Sequence, residues 1–200
     1  MEAAFRVVKR NSRFEFRVFR FPRFLVLIAA MVTFYAATAA DTPLLRALAE
    51  RIWRESYAGV VSAEQMAYMI DWMYAEETIR RELAEGVCWE LVWQGGGAVG
   101  YFSITFGADG VAKLNKLYLL PENQGRGLGQ EMLARVFALA KSRGAREVRL
   151  QVNKANLRAQ RAYERFGFMR IEEAVFDIGG GFVMDDYILS RGVDCPASGI

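Results

Sequence analysis

The chain of 200 residues contains no histidine. That absence excludes Ser-His-Asp and Cys-His nucleophilic machinery and every histidine-ligated metal site. Cysteine is nearly absent: Cys88 lies in an apolar stretch, Cys195 in the tail, and neither belongs to a C-x-x-C pair. Such spacing supports neither a disulfide framework nor a zinc cluster, and Cys88 reads as a structural thiol. An excess of positive charge is also missing where it would matter. Residues 1–30 hold seven Arg and Lys against two Glu, so the other 170 residues carry nineteen basic and twenty-one acidic side chains. The globular part therefore has no electrostatic footprint for nucleic acid. What is present, 53% hydrophobic and 24% charged residues, suits a soluble domain of this length with a single core.

The N-terminus admits three readings. Residues 1–23 alternate Arg and Phe without a stable period, and Phe24–Ala40 carries no charge. A basic start, an apolar centre and Ala37-Thr38-Ala39 before Ala40 are signal-peptide features. A membrane anchor is the second reading, although seventeen uncharged residues fall short of the ~20 that span a bilayer. In the third, Thr33–Ala37 form the first strand, residues 1–30 are an extension, and Met31 is the true start. Asp41-Thr42-Pro43 favours the third, because Thr42 as N-cap and Pro43 in the first turn open a helix directly after that strand. The expected organisation is an extension over 1–30, a domain over 31–190 and a tail over 191–200.

Leu44, Leu45, Leu48, Ile52 and Trp53 follow helical spacing. Ser62-Ala63-Glu64-Gln65 is a capping-box pattern opening a second helix, and a third helical piece, 76–85, stops at Gly86. Strands are predicted over 87–93, 98–106 and 111–120, broken at Pro121. Leu128, Met132, Leu133, Val136, Phe137 and Ala140 share one face of a helix over 128–143. A strand at 147–152, a helix from the Asn156 cap to Arg165 and strands at 168–176 and 182–189 complete the order β-α-α-β-β-β-α-β-α-β-β. The fold class is α/β, with a mixed, mostly antiparallel sheet flanked by helices.

Pro121-Glu122-Asn123 followed by Gln124-Gly125-Arg126-Gly127-Leu128-Gly129 joins a strand to a helix. First-turn amides have no internal partners and sit at the positive end of the helix dipole. Glycines let phosphate oxygens approach them, and Arg126 adds a formal charge. The dinucleotide fingerprint fails because Gln130 stands where it needs glycine, and the P-loop's Lys-Ser/Thr is missing.

Residues 117–129 resemble the pyrophosphate-binding segment of the GNAT superfamily of N-acetyltransferases, whose pattern is Gln/Arg-x-x-Gly-x-Gly/Ala. Asn153, Asn156, Ala159, Ala162, Tyr163 and Phe166-Gly167-Phe168 resemble that family's later motif, so the likeness runs over about residues 32–190. It implies a GNAT-like fold and direct transfer from acetyl-CoA to an amine, with no metal. The pyrophosphate would rest on the amides of Gln124, Gly125, Arg126, Gly127, Leu128 and Gly129. The pantetheine arm would pair with the backbone of Tyr118, Leu119 and Leu120. Asn153 and Asn156 would contact or position the cofactor, and Tyr163 would protonate the leaving thiolate. A phenol is a sensible acid for that group.

The acceptor must lose a proton before it attacks, and the strand before the loop offers Lys113, Asn115 and Lys116 but no carboxylate. A water chain, or Glu55, Glu90 or Asp185, is expected to serve. Tyr57, Tyr68, Asp71, Trp72, Tyr74, Asp185, Asp186 and Tyr187 are candidates to hold a small cation through charge and ring faces. The implied partner is a small-molecule amine rather than a protein. No nucleic acid and no stable membrane association of the domain are expected, and a homodimer is left open. The implied location is the cytoplasm, with export or tethering through residues 1–40 as the alternative. The rival function is a non-catalytic acyl-CoA-binding or regulatory module on the same fold.

Overall fold

A computed structural model of the protein describes residues 31–56 and 61–194. Strand β1 (Thr33–Ala36) pairs antiparallel with β2 (Cys88–Gln94) at one edge of the sheet. Between them lie three helices, α1 (Thr42–Ser56), α2 (Ala63–Tyr74) and α3 (Glu76–Ala84). The piece at 76–85 is thus a helix of its own, separated from α2 by an extended Ala75 with ψ 139°. Ser62 caps α2 as its sequence pattern predicts, accepting from the Gln65 amide at 3.0 Å. Thr42, by contrast, does not cap α1. The chain enters through a 3-10 turn, Ala39–Asp41, closed by the Thr38 amide and hydroxyl donating to the Asp41 carboxylate at 2.8 Å. Thr42 is already helical and buried, and its hydroxyl donates to the Ala39 carbonyl.

Strands β2, β3 (Gly97–Phe106) and β4 (Val111–Leu119) form an antiparallel meander. Helix α4 (Leu128–Ser142), β5 (Glu147–Asn153), α5 (Leu157–Arg165) and the hairpin of β6 (Met169–Gly179) and β7 (Phe182–Gly192) follow. The sheet order is β1-β2-β3-β4-β5-β7-β6, and only β4 and β5 run parallel. Against one face, α1 and α2 set Trp53 and Tyr74 on Trp89, Tyr101 and Tyr118, with ring centroids 5.6–6.4 Å apart. Edge-to-face and tilted contacts of this kind add about 0.5–1.5 kcal/mol each beyond the area they bury. Against the other face, α4 buries the six apolar residues that the sequence placed on one side. From α4, Arg135 reaches through to Glu90 of β2 and grips both carboxylate oxygens, at 2.9 and 2.7 Å. Among the described residues, no helix is long and apolar enough to cross a membrane.

The pairing of β4 with β5 stops early. Val111–Leu114 match Glu147–Leu150, yet β4 continues to Leu119 and β5 to Asn153. A bulge on β4 lies at the point of separation: Ser103 pairs with Lys116 and Ile104 with Leu114, leaving Asn115 extra. Its side chain is tied down by donating to the Thr105 hydroxyl at 2.8 Å. Bulges bend a strand and increase its twist, so β4 swings away from β5 just above it. Opposite, Gly100 lets β3 approach closely. A Cβ there would stand 2.4 Å from the Tyr118 carbonyl oxygen and 2.7 Å from the Leu119 side chain. Gly100→Ala is therefore expected to cost about 1–3 kcal/mol through overpacking. Urea unfolding measures it, and an unchanged midpoint would show that the contact relaxes freely.

Candidate active site

The parting of β4 and β5 opens a cleft of about 1170 Å³. At its mouth lies the glycine loop. Gly125 and Gly127 have φ of 78° and 88°, a conformation that side chains with a Cβ rarely adopt. The first α4 amides to bond the Gly127 carbonyl are those of Gln130 and Glu131, at 2.8 and 3.2 Å. The N–H groups of Leu128 and Gly129 thus precede the helical ladder. Gly129 is different in kind, because its backbone is ordinary helix and a Cβ there would meet only Leu119 Cδ1, at 4.0 Å. Packing does not require glycine at 129. The space that its missing side chain leaves open against the first turn is of the kind in which a phosphate can reach helix-end amides.

The remaining sequence-predicted residues divide. Tyr118, Leu119, Gln124, Gly125, Gly127, Gly129, Asn153, Asn156 and Tyr163 all line the cleft. Leu120 does not, since its N–H is spent on the Val99 carbonyl at 2.9 Å. The alternation of an antiparallel ladder then turns the Tyr118 backbone toward β3 as well, and leaves Leu117 and Leu119 facing the cleft. The Leu119 carbonyl accepts from the Gln124 side-chain amide at 2.8 Å, so Gln124 shapes the loop and the Leu119 N–H is the group left facing the gap. Leu128 is buried in the core, and Arg126 points to solvent. Asn153 and Asn156 each commit the side-chain oxygen locally, accepting from the Ala155 and Ala159 amides at 2.9 and 3.1 Å. Tyr163 stands in the α5 wall with its ring against Phe168.

Sequence reasoning overlooked Arg158. Its Nη2 lies 3.8 Å from where a Cβ of Gly125 would be, which brings a guanidinium to the glycine loop. The available signal was a basic residue just inside the Asn156-capped helix, lost among the other charges of α5.

The inner end of the cleft is enclosed by α1–α3 on one side and the β6–β7 hairpin on the other. The Tyr68 hydroxyl joins them by donating to the Ile178 carbonyl at 2.7 Å. Several acceptor candidates fall outside this chamber. Tyr74 is packed in the aromatic layer, Asp71 pairs with Arg46 at 2.7 Å, and the Tyr187 ring is covered by the Arg170 guanidinium. Tyr57 lies outside the described residues. Trp72 and Asp186 do line the cleft. Of the expected bases, Glu90 is held by Arg135 against α4 and Asp185 by Lys154 at 2.7 Å, and neither lines the cleft. Glu55 lines the rim and pairs with Arg51. Burial pushes the Cys88 thiol up and keeps it protonated.

Two buried charges that the sequence did not single out as a pair sit here. Lys116 of β4, 6% exposed, places Nζ 3.2 and 3.3 Å from the two Glu82 oxygens and 4.7 Å above the Trp89 ring. Trp89 Nε1 donates to the same carboxylate at 3.0 Å. Burial pushes the Lys116 ammonium below its ordinary value, and Glu82 opposes that shift. Burial raises the Asp186 carboxyl, with only the Asn153 side-chain amide, 3.5 Å away, acting against it.

The comparison with known proteins agrees with this geometry. The model of the acetyltransferase (GNAT) family matches residues 46–168, and the chain belongs to that family. An uncharacterized N-acetyltransferase of Mycobacterium tuberculosis is 38% identical over 96 residues, covering 48% of this chain and 61% of that protein. The match thus spans less than two thirds of that relative's length. The spermidine N(1)-acetyltransferase of Thermoplasma acidophilum is 27% identical over 72% of this chain and 90% of its own. Among solved structures, the PaiA N-acetyltransferase of that organism in complex with coenzyme A superposes with a TM-score of 0.69 at 23% identity. It covers 81% of this chain and 99% of its own.

Proposed function

We propose that the protein is an N-acetyltransferase that moves an acetyl group from acetyl-CoA directly to a small-molecule amine. The observation that carries this reading is the β4–β5 gap with the glycine loop at its mouth and an open cradle at Gly129. Acetyl-CoA supplies a thioester, which is activated toward an amine without any enzyme nucleophile. The Leu128 and Gly129 amides, with Arg158 beside them, hold the pyrophosphate at the positive end of α4. The Leu119 N–H, the cleft-facing donor of β4, aligns the pantetheine arm and can polarise the thioester carbonyl. Tyr163 donates the proton that the departing thiolate takes up, and the proton that the amine sheds passes to water in the cleft, since Glu90 and Asp185 are ion-paired away from it. Family membership and a coenzyme A complex on the same fold support the donor half, and a relative named for spermidine supports a small amine.

Titration with acetyl-CoA, followed by an amine panel read through free thiol, tests the reading. Absence of binding at millimolar acetyl-CoA would falsify it. Tyr163→Phe is expected to leave acetyl-CoA affinity intact and lower turnover about tenfold or more, within the range general acids contribute. Binding without turnover in the unaltered chain would instead mark an acyl-CoA-binding module.

A further inference from the structure

The wall of the acceptor chamber holds an ammonium of its own, that of Lys116. A tryptophan face, a tyrosine ring and a carboxylate are the groups that hold an alkylammonium. Here Glu82 on the cleft wall and, behind it, the Trp89 and Tyr74 rings of the aromatic layer form such a cage, and Lys116 fills it: Nζ lies 4.7 Å from the Trp89 centroid, 5.7 Å from that of Tyr74 and 3.2 Å from Glu82. Lys113 and Arg81 also line the cleft. The other wall has the opposite character. Asp186 is 1% exposed, and its contact with the Asn153 side-chain amide is long, at 3.5 Å. Among the described residues, no cation lies within ion-pair distance of it. Phe176, Ile178 and Met184 beside it on the hairpin are apolar. The remaining rim carboxylates are committed, Glu55 to Arg51 at 3.1 Å and Asp177 to the Gly179 amide at 2.9 Å.

We infer that the acceptor is a primary amine with one ammonium and an apolar body, anchored by Asp186, and that Lys116 excludes polyamines by occupying the second cation site. This rests on the acetyl-transfer reading above. A buried carboxylate without a counter-ion gains most from one incoming ammonium. A diamine or polyamine would bring a further charge to a cage already filled, and like charges in a confined site disfavour the wrong ligand.

The test uses the full chain with acetyl-CoA and four acceptors: 2-phenylethylamine, hexylamine, putrescine and spermidine. The monoamines are expected to exceed spermidine in kcat/KM by about tenfold or more, which corresponds to ~1.4 kcal/mol. Asp186→Asn should raise the monoamine KM about tenfold while the acetyl-CoA Kd stays nearly constant. Lys116→Met empties the cage and should raise the spermidine-to-monoamine ratio by about the same factor. Equal or better use of spermidine by the unaltered chain overturns the inference, as does an unchanged KM in Asp186→Asn. If Lys116→Met does not fold, those two measurements decide alone. Acetyl-CoA binding with no monoamine acetylated sinks this proposal and leaves the cofactor reading standing; no acetyl-CoA binding sinks both.

Discussion

Gly129→Glu is expected to abolish acetyl-CoA binding while leaving the fold as stable as before. The two effects separate because they arise from different neighbours. Toward the protein, position 129 is an ordinary helical residue in open space, with Leu119 Cδ1 at 4.0 Å as the one near atom. A side chain there replaces glycine in a first helical turn, which favours the helix, and a carboxylate suits the N-terminal end of the dipole. Toward the ligand, the same carboxylate occupies the cradle and opposes the pyrophosphate charge. A loss of about a hundredfold in affinity, ~2.8 kcal/mol, is the expected minimum. Calorimetric titration and thermal unfolding on the same preparation read the two quantities. Retained affinity would remove the loop from the cofactor site, whereas a fall in Tm would show that glycine is needed for packing.

The second large effect is on stability. Arg135→Ala should destabilise the domain by about 3 kcal/mol, near the lower end of what breaking a buried ion pair costs. Glu90 is 3% exposed on its side chain and has both oxygens on Arg135, whose own side chain is 39% exposed. Removing the arginine strands a carboxylate under α4. Glu90→Gln keeps a polar group that can still accept from Arg135, and its cost should be clearly smaller. Equilibrium urea unfolding of both variants gives the comparison, and equal losses would mean that the charge itself is unimportant. The order of the two effects distinguishes a stranded charge from a lost hydrogen bond.

Local patterns were legible in the sequence and long-range pairings were not. The buried face of α4, the Ser62 cap and the glycine turn at 125–127 are written in residues a few positions apart, and the structure repeats them. Thr42 was misassigned as a cap because Asp41, one residue earlier, closes the turn with Thr38. The acceptor end was largely opaque. Glu82 and Lys116 meet from α3 and β4, 34 residues apart, and Asp186 arrives from β7 on the opposite wall. Glu90 read as a base because alternation along β2 does not reveal that its face lies under α4. Tyr74 and Tyr187 looked like ring faces for a ligand, but one is filled by the core and the other by Arg170.

Asn115 works as an inserted letter in the message of β4. Side chains on a strand alternate, so residues 114 and 116 would ordinarily point the same way. With one extra residue between them, Leu114 follows Ile104 and Lys116 follows Ser103, neighbours that point to opposite faces. The lower half of the strand is read in one frame and serves the core under α4; the upper half is read in the other and serves the chamber. Deleting Asn115 would make Leu114 and Lys116 consecutive and leave both on the faces they already hold, so the pairing with β3 would survive while the bend that parts β4 from β5 would be lost. One residue with no chemistry of its own thus opens the gap in which the site lies.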